Sequence, residues 1–79
     1  MPIYFFDSRD NQAFIEDDEG LEYADLEAVK VAAAKALAEL ARDVIPASSK
    51  HELAIEVRDE QGPVLIAKMT FEALILRPA

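Results

Sequence analysis

Three acidic residues in a predicted turn belong to the densest group of potential metal ligands in this 79-residue sequence. Residues 17–19 read Asp-Asp-Glu, and carboxylate oxygens are the ligands that a hard cation such as Ca²⁺ prefers. The spacing of a calcium loop is not met, because aligning Gly20 with the invariant glycine puts Ile15 and Leu26 at the first and last ligand positions. We interpret the run as a solvated turn near a helix N-terminus, and we predict no metal and no other cofactor.

His51 is the only histidine, and Ser48 and Ser49 precede it closely. A serine can act as a nucleophile only when a base is oriented beside it, within a pocket, by a third group. Adjacency along a loop does not supply that geometry. The sequence therefore predicts a solvated loop histidine, no catalytic residue and a protein that is not an enzyme.

Aromatic side chains on the first two predicted strands could stack against nucleotide bases. They are Tyr4, Phe6 and Phe14. Such a platform needs a basic groove for the phosphates, whereas the formal net charge of this chain is −8. We expect these rings to pack on a sheet face instead, against the helix or a second subunit.

Asp7 can form an ion pair with Arg9 or Arg58 near a hairpin end. We expect this pair at the surface, where an ion pair contributes about 0–1 kcal/mol to stability. It therefore receives no functional role.

One long helix is the strongest element in the sequence. Apolar residues recur at spacings of three and four between residues 25 and 44, so they share one face. Asp25 is the predicted N-cap, and Pro46 is expected to stop the helix. Leu37 and Leu40 lie in the middle of the apolar stripe, so the sequence predicts that both are buried.

Two pairs of strands surround this helix. The predicted strands are residues 3–8, 12–16, 52–59 and 64–70, each pair joined by a short polar turn. Residues 71–76 are either a strand extension or a helical turn capped by Thr70. The predicted fold class is α+β, a two-layer ββαββ arrangement in which one helix covers one face of a mainly antiparallel four-stranded sheet.

Composition narrows the class of protein further. The length of 79 residues predicts a single domain over residues 1–79. No cysteine is present, which favours a reducing compartment, and we expect the cytoplasm. No apolar run approaches the roughly 20 residues of a membrane span. The charge of −8 also opposes binding to nucleic acid and to anionic membranes.

Three sequence segments resemble those of a family of small bacterial proteins of unknown function. They are YFFD at residues 4–7, DDEG at residues 17–20 and DLEAV at residues 25–29. Members of that family place an aromatic strand before a D-E-E-G turn and an alanine-rich helix, with a D-x-x-G turn in a second hairpin, matched here at residues 59–62. The resemblance implies the same fold and a bacterial origin, and it brings no catalytic residue.

A looser resemblance links Leu26, Glu27 and Ala28 to the helix start of HicB-type antitoxins. It implies an alternative function, in which an acidic antitoxin-like or inhibitor-like module masks a basic protein partner. The principal interpretation is a small non-catalytic interaction or structural protein.

Self-association is the expected mode of action, because one helix covers only one face of a sheet that is apolar on both faces. We predict a homodimer. The predicted interface residues are Tyr4, Phe6, Val64, Ile66, Leu74 and Leu76.

The charge generates a first testable prediction. At physiological salt, a gel-shift titration should detect no complex with DNA or RNA, because a net charge of −8 repels the phosphate backbone. Micromolar or tighter binding would contradict this expectation.

Overall fold

One long helix lies across an antiparallel sheet of five strands in the computed structural model, which describes residues 2–78. A short 3-10 helix, Ile45–Ala47, follows the long helix. The other elements, in chain order, are β1 (Ile3–Asp10), β2 (Ala13–Ile15), β3 (Leu21–Glu22), α1 (Leu26–Val44), β4 (Lys50–Asp59) and β5 (Gly62–Glu72).

The strand order is β2-β1-β4-β5, and β3 pairs with the beginning of β1. The predicted α+β fold is therefore confirmed, with β3 as a short fifth strand that the sequence did not predict. Strand β5 continues to Glu72, so the first part of residues 71–76 is a strand extension. The residues that follow adopt no regular structure.

Helix α1 begins and ends where capping chemistry predicts. The Asp25 carboxylate accepts a hydrogen bond from the Ala28 backbone N–H at 2.8 Å, which confirms Asp25 as the N-cap. The helix ends at Val44, and Pro46 lies in the 3-10 turn that follows. Within residues 2–78, no helix combines the length and the apolar character needed to cross a bilayer.

The core lies between α1 and the face of the sheet that carries Tyr4 and Val57. Val29 and Ala33 are fully buried, so the helix makes its closest approach to the sheet in its first half. Leu37 and Leu40 also pack against the core. They are only half-buried, so the prediction that the mid-stripe leucines are buried is wrong.

Three of the described residues, Asn11, Gly20 and Gly62, adopt a positive φ angle. Asn11 has φ 54°, and its side-chain oxygen accepts from the Glu52 backbone N–H at 2.9 Å, which ties the β1–β2 turn to β4. Gly20 has φ 73°. A Cβ atom at Gly20 would lie 2.7 Å from Cγ2 of Ile3 and 2.9 Å from Cε1 of Phe5, so glycine is required there for space as well.

The burial pattern of α1 gives a matched pair of test variants. Val29→Ala should lower the free energy of unfolding by about 2 kcal/mol, because two buried methyl groups leave a cavity. Val31 is 45% exposed on the same helix, so Val31→Ala should change stability by less than about 0.5 kcal/mol. Urea unfolding measures both variants. Equal effects would mean that the helix packs through a different face.

Candidate functional site

A buried carboxylate anchors a polar cluster on the face of the sheet opposite α1. Asp7 on β1 is only 5% exposed. Arg58 on β4 donates to it, with Nε 3.0 Å from Oδ2, and this hydrogen bond raises the pKa of Arg58. The structure thus assigns Arg58 as the partner of Asp7. The carboxylate is buried, so the prediction of a surface ion pair is wrong.

Asp17 joins this cluster from the loop between β2 and β3. Its Oδ2 accepts from the Phe6 backbone N–H at 3.0 Å, and its own N–H donates to Asp7 Oδ1 at 2.9 Å. Arg58 Nη2 donates to the Asp17 carbonyl oxygen at 2.8 Å. Asp17 therefore occupies the gap on β1 between the stretches that pair with β2 and with β3.

The Asp17 carboxylate is used as an acceptor for backbone N–H groups. Its Oδ1 also accepts from the N–H of Glu19 at 3.0 Å and of Gly20 at 3.4 Å. The bond from Phe6 contributes most to lowering the pKa of Asp17. Among residues 2–78, no group of three or more acidic, histidine or cysteine side chains is arranged to hold a metal ion.

His51 is a second place where the structure differs from the sequence interpretation. It lies on β4 with its side chain only 14% exposed, so it is not a solvated loop residue. Its Nδ1 is 2.8 Å from Ser48 Oγ, and its Nε2 is hydrogen-bonded to Asp10 Oδ1. Ser48 Oγ also donates to the Val44 carbonyl oxygen at 3.1 Å. These bonds fasten the end of α1 to the start of β4 and the end of β1.

Asp10, Ser48 and His51 are the residue types of a catalytic triad. Their hydrogen bonds instead connect secondary-structure elements. The Ser48 hydroxyl donates to a helix carbonyl, whereas a nucleophilic serine must give its proton to the histidine. We therefore assign these three side chains to the connection between α1 and the sheet.

A second arginine, Arg9 on β1, pairs across the open face of the sheet, the face opposite α1. Arg9 Nε lies 2.7 Å from Glu56 Oε2, and this hydrogen bond raises the pKa of Arg9. Its guanidinium carbon lies 4.6 Å from the centre of the Phe14 ring, which is 46% exposed. A shallow depression of about 280 Å³ adjoins this pair, between Arg9, Ile66 and Lys68. The pair satisfies its own charges and leaves no buried polar atom aimed at a ligand.

The outer edge of β5, the longest strand, has no partner among the described residues. This strand ends the order β2-β1-β4-β5, so its outer backbone groups pair with no other described strand. Ile66 on β5 is 60% exposed, and the three apolar residues after the strand are almost fully exposed. We call β5 together with residues 73–76 the β5 edge. Edges of this length and apolar character promote pairing with another chain.

The residues predicted as an interface separate into two groups in the structure. Tyr4, Phe6 and Val64 belong to or pack against the core beneath α1, so the folded chain already covers them. The Phe6 and Tyr23 ring centres are 5.5 Å apart. Phe14 lies apart from these rings, so the three aromatic residues form no common platform. Ile66, Leu74 and Leu76 remain exposed and lie along the β5 edge.

A family model covers residues 3–71 of this chain. The chain belongs to the DUF6894 family. This family is described as a domain of unknown function, so it supports the resemblance to an uncharacterised family and carries no assigned activity. The DUF6894 match ends at Phe71, before the exposed residues 74–76. The comparisons with curated proteins and with solved structures found no match.

The sequence did not predict the role of Asp17 in this DUF6894 chain, because an acidic run reads the same whether its side chains are solvated or hydrogen-bonded to the backbone. The position of Asp17 in the chain was the one feature that could have indicated this role. Phe6 and Asp7 on β1 needed backbone and charge partners, and Asp17 follows the short strand β2 by two residues. The contact between His51 and Asp10 could not be predicted, because the sequence of neither strand shows that β1 and β4 are neighbours.

The lowered pKa of Asp17 gives a pH-dependent prediction. A carboxyl group with a depressed folded-state pKa contributes stability that is complete above its unfolded pKa of about 3.9 and is lost as the pH falls through its folded pKa. Asp17→Asn should therefore be less stable than the parent at pH 7, and the gap should narrow below about pH 4. Urea unfolding across this pH range measures it.

Asp18→Asn is the matched control, because Asp18 is the exposed neighbour in the same loop. It should follow the parent at every pH. A gap between Asp17→Asn and the parent that is independent of pH would contradict the assigned role of the carboxylate charge.

Proposed function

We propose that this protein is a small non-catalytic interaction protein that acts through self-association in the cytoplasm. The observation that carries the proposal is the β5 edge, where unpaired backbone groups and exposed apolar side chains occur together. Backbone pairing along such an edge gives affinity, and side chains that alternate along the strand give specificity.

The polar clusters favour a non-catalytic role. The carboxylates of Asp7 and Asp17 hold backbone and guanidinium donors, and His51 connects three secondary-structure elements. The hydrogen bonds of Asp7, Asp17 and His51 thus stabilise the fold. The lack of cysteine favours a reducing compartment such as the cytosol.

A second candidate is the masking of a basic protein partner, and the distribution of charge favours it. Six exposed carboxylates lie within residues 16–27, around the N-terminus of α1. They are Glu16, Asp18, Glu19, Glu22, Asp25 and Glu27. This candidate requires a monomer that binds a small basic protein with strong salt dependence.

Light scattering coupled to size exclusion tests self-association. At tens of micromolar, the parent should have twice the chain mass of 8.7 kDa. Ile66→Thr should weaken the dimer, because it removes an exposed apolar group from the β5 edge while keeping a β-branched side chain. Val31→Thr on the outer side of α1 is the control and should leave the dimer intact.

A monomer mass for the parent at both low and high salt would overturn the proposal. Equal weakening by Ile66→Thr and Val31→Thr would also count against the β5 edge as the site of association.

A further inference from the structure

The backbone of β5 determines which residues can pair with a second strand. The Ala73 N–H donates to the Ser49 carbonyl at 2.8 Å, so the backbone groups of residue 73 point toward β4. In an antiparallel ladder, alternate residues direct both groups to the same side. The groups of residues 66, 68, 70 and 72 therefore point outward along the β5 edge.

We propose that two copies of this chain pair antiparallel along β5 about a two-fold axis at Thr70, with residues 74–76 of each copy extending the sheet of the other. The inference rests on the proposed function and specifies the partner, the surface and the register of that association. The outcome would be one continuous sheet in which both helices lie on the same face.

Charge favours this register over the two that are centred on the adjacent outward-pointing residues, Lys68 and Glu72. An axis at Thr70 places Lys68 directly opposite the partner's Glu72, and the two-fold axis creates this pair twice. An axis at Lys68 would place two lysines opposite each other, and an axis at Glu72 would place two glutamates opposite each other. Like charges at facing positions destabilise a strand pair, whereas opposite charges stabilise it.

Lys68 explains why the β5 edge would pair selectively. A lysine on an edge strand discourages pairing with an arbitrary strand. Opposite the partner's Glu72 the same lysine favours one partner in one register, so a feature that prevents aggregation also provides specificity.

Apolar residues match in the same register. On the open face, Ile66 lies opposite the partner's Leu74, and both side chains are exposed in the single chain, at 60% and 71%. On the helix side, Met69 lies opposite the partner's Phe71, and a methionine sulfur packs favourably on an aromatic ring. Leu65 there faces the partner's Ile75, which is 89% exposed in the single chain.

The segment after β5 argues for strand exchange over a fold-back within one chain. Its Leu74, Ile75 and Leu76 side chains are 71%, 89% and 91% exposed, so they make little contact with their own chain. Only Ala73 continues the ladder with β4, and no regular structure follows it. Pairing with a partner's β5 would cover these side chains and would satisfy the backbone groups of both strands.

Disulfide trapping tests the register directly, because the chain contains no cysteine of its own. A hydrogen-bonded antiparallel pair has a Cα separation of about 5.5 Å, within the range that a disulfide spans. Thr70→Cys should therefore form a covalent dimer under mild oxidation. Lys68→Cys alone should not, because the two copies of residue 68 would lie four positions apart along the ladder. An equimolar mixture of Lys68→Cys and Glu72→Cys should cross-link.

Charge reversal supplies an independent readout of the same contact. Lys68→Glu and Glu72→Lys should each weaken dimerisation about tenfold, since each creates two facing like charges. The double variant restores opposite charges and should recover most of the affinity. Circular dichroism of each variant verifies that the fold is retained.

The outcomes separate the register from the proposed function. A parent dimer that Thr70→Cys does not trap, or that charge reversal does not weaken, would overturn the Thr70 register while self-association stands. A monomeric parent would overturn both. Trapping by Thr70→Cys together with recovery in the charge-reversed double variant would establish the register.

Discussion

The hydrogen bonds of Asp17 complete the outer side of β1 between its two short partner strands. Strand β1 would otherwise expose backbone groups between its short partners β2 and β3, and the carboxylate of Asp17 accepts from the Phe6 N–H at that position. The same residue donates to buried Asp7 and accepts from Arg58, so loop, edge strand and central strand are held together by one cluster. A buried carboxylate is costly unless it is fully bonded, so the Asp7 carboxylate depends on the donors that Asp17 and Arg58 supply.

Closing one edge leaves the molecule asymmetric. At one side, the loop that contains Asp17 completes the backbone hydrogen bonding of β1. At the other side, β5 is long and carries no comparable cover. The single helix adds a second asymmetry, since it buries Tyr4 and Val57 on one face and leaves Ile3 and Ile66 exposed on the other. Polar pairs such as Arg9–Glu56 occupy the middle of that open face and reduce its apolar area. The three most exposed hydrophobic residues, Leu74, Ile75 and Leu76, lie along the β5 edge.

Local patterns predicted the elements well because each depends on nearby residues. The period of the apolar stripe, the Asp25 cap and the positive φ angle at Gly20 are all local properties. The sequence pattern did not predict contacts between side chains on neighbouring strands. It could not show that Asp7 is buried or that His51 bonds to Asp10, because both depend on β1 and β4 being neighbours. It also placed the most buried helix positions too late, since the position of closest approach depends on how the helix crosses the sheet.

The central pairing of β1 with β4 has a consequence for the order in which the chain folds. The contact between Asp7 and Arg58 joins residues 51 positions apart, whereas β4 and β5 form a hairpin across a tight turn. Closing the longer loop costs more chain entropy, so the β4–β5 hairpin and α1 can form before β1 docks. In that interval both edges of the hairpin are open to other chains. Until β1 docks, β4 can therefore pair with another chain at the position that β1 occupies in the folded protein.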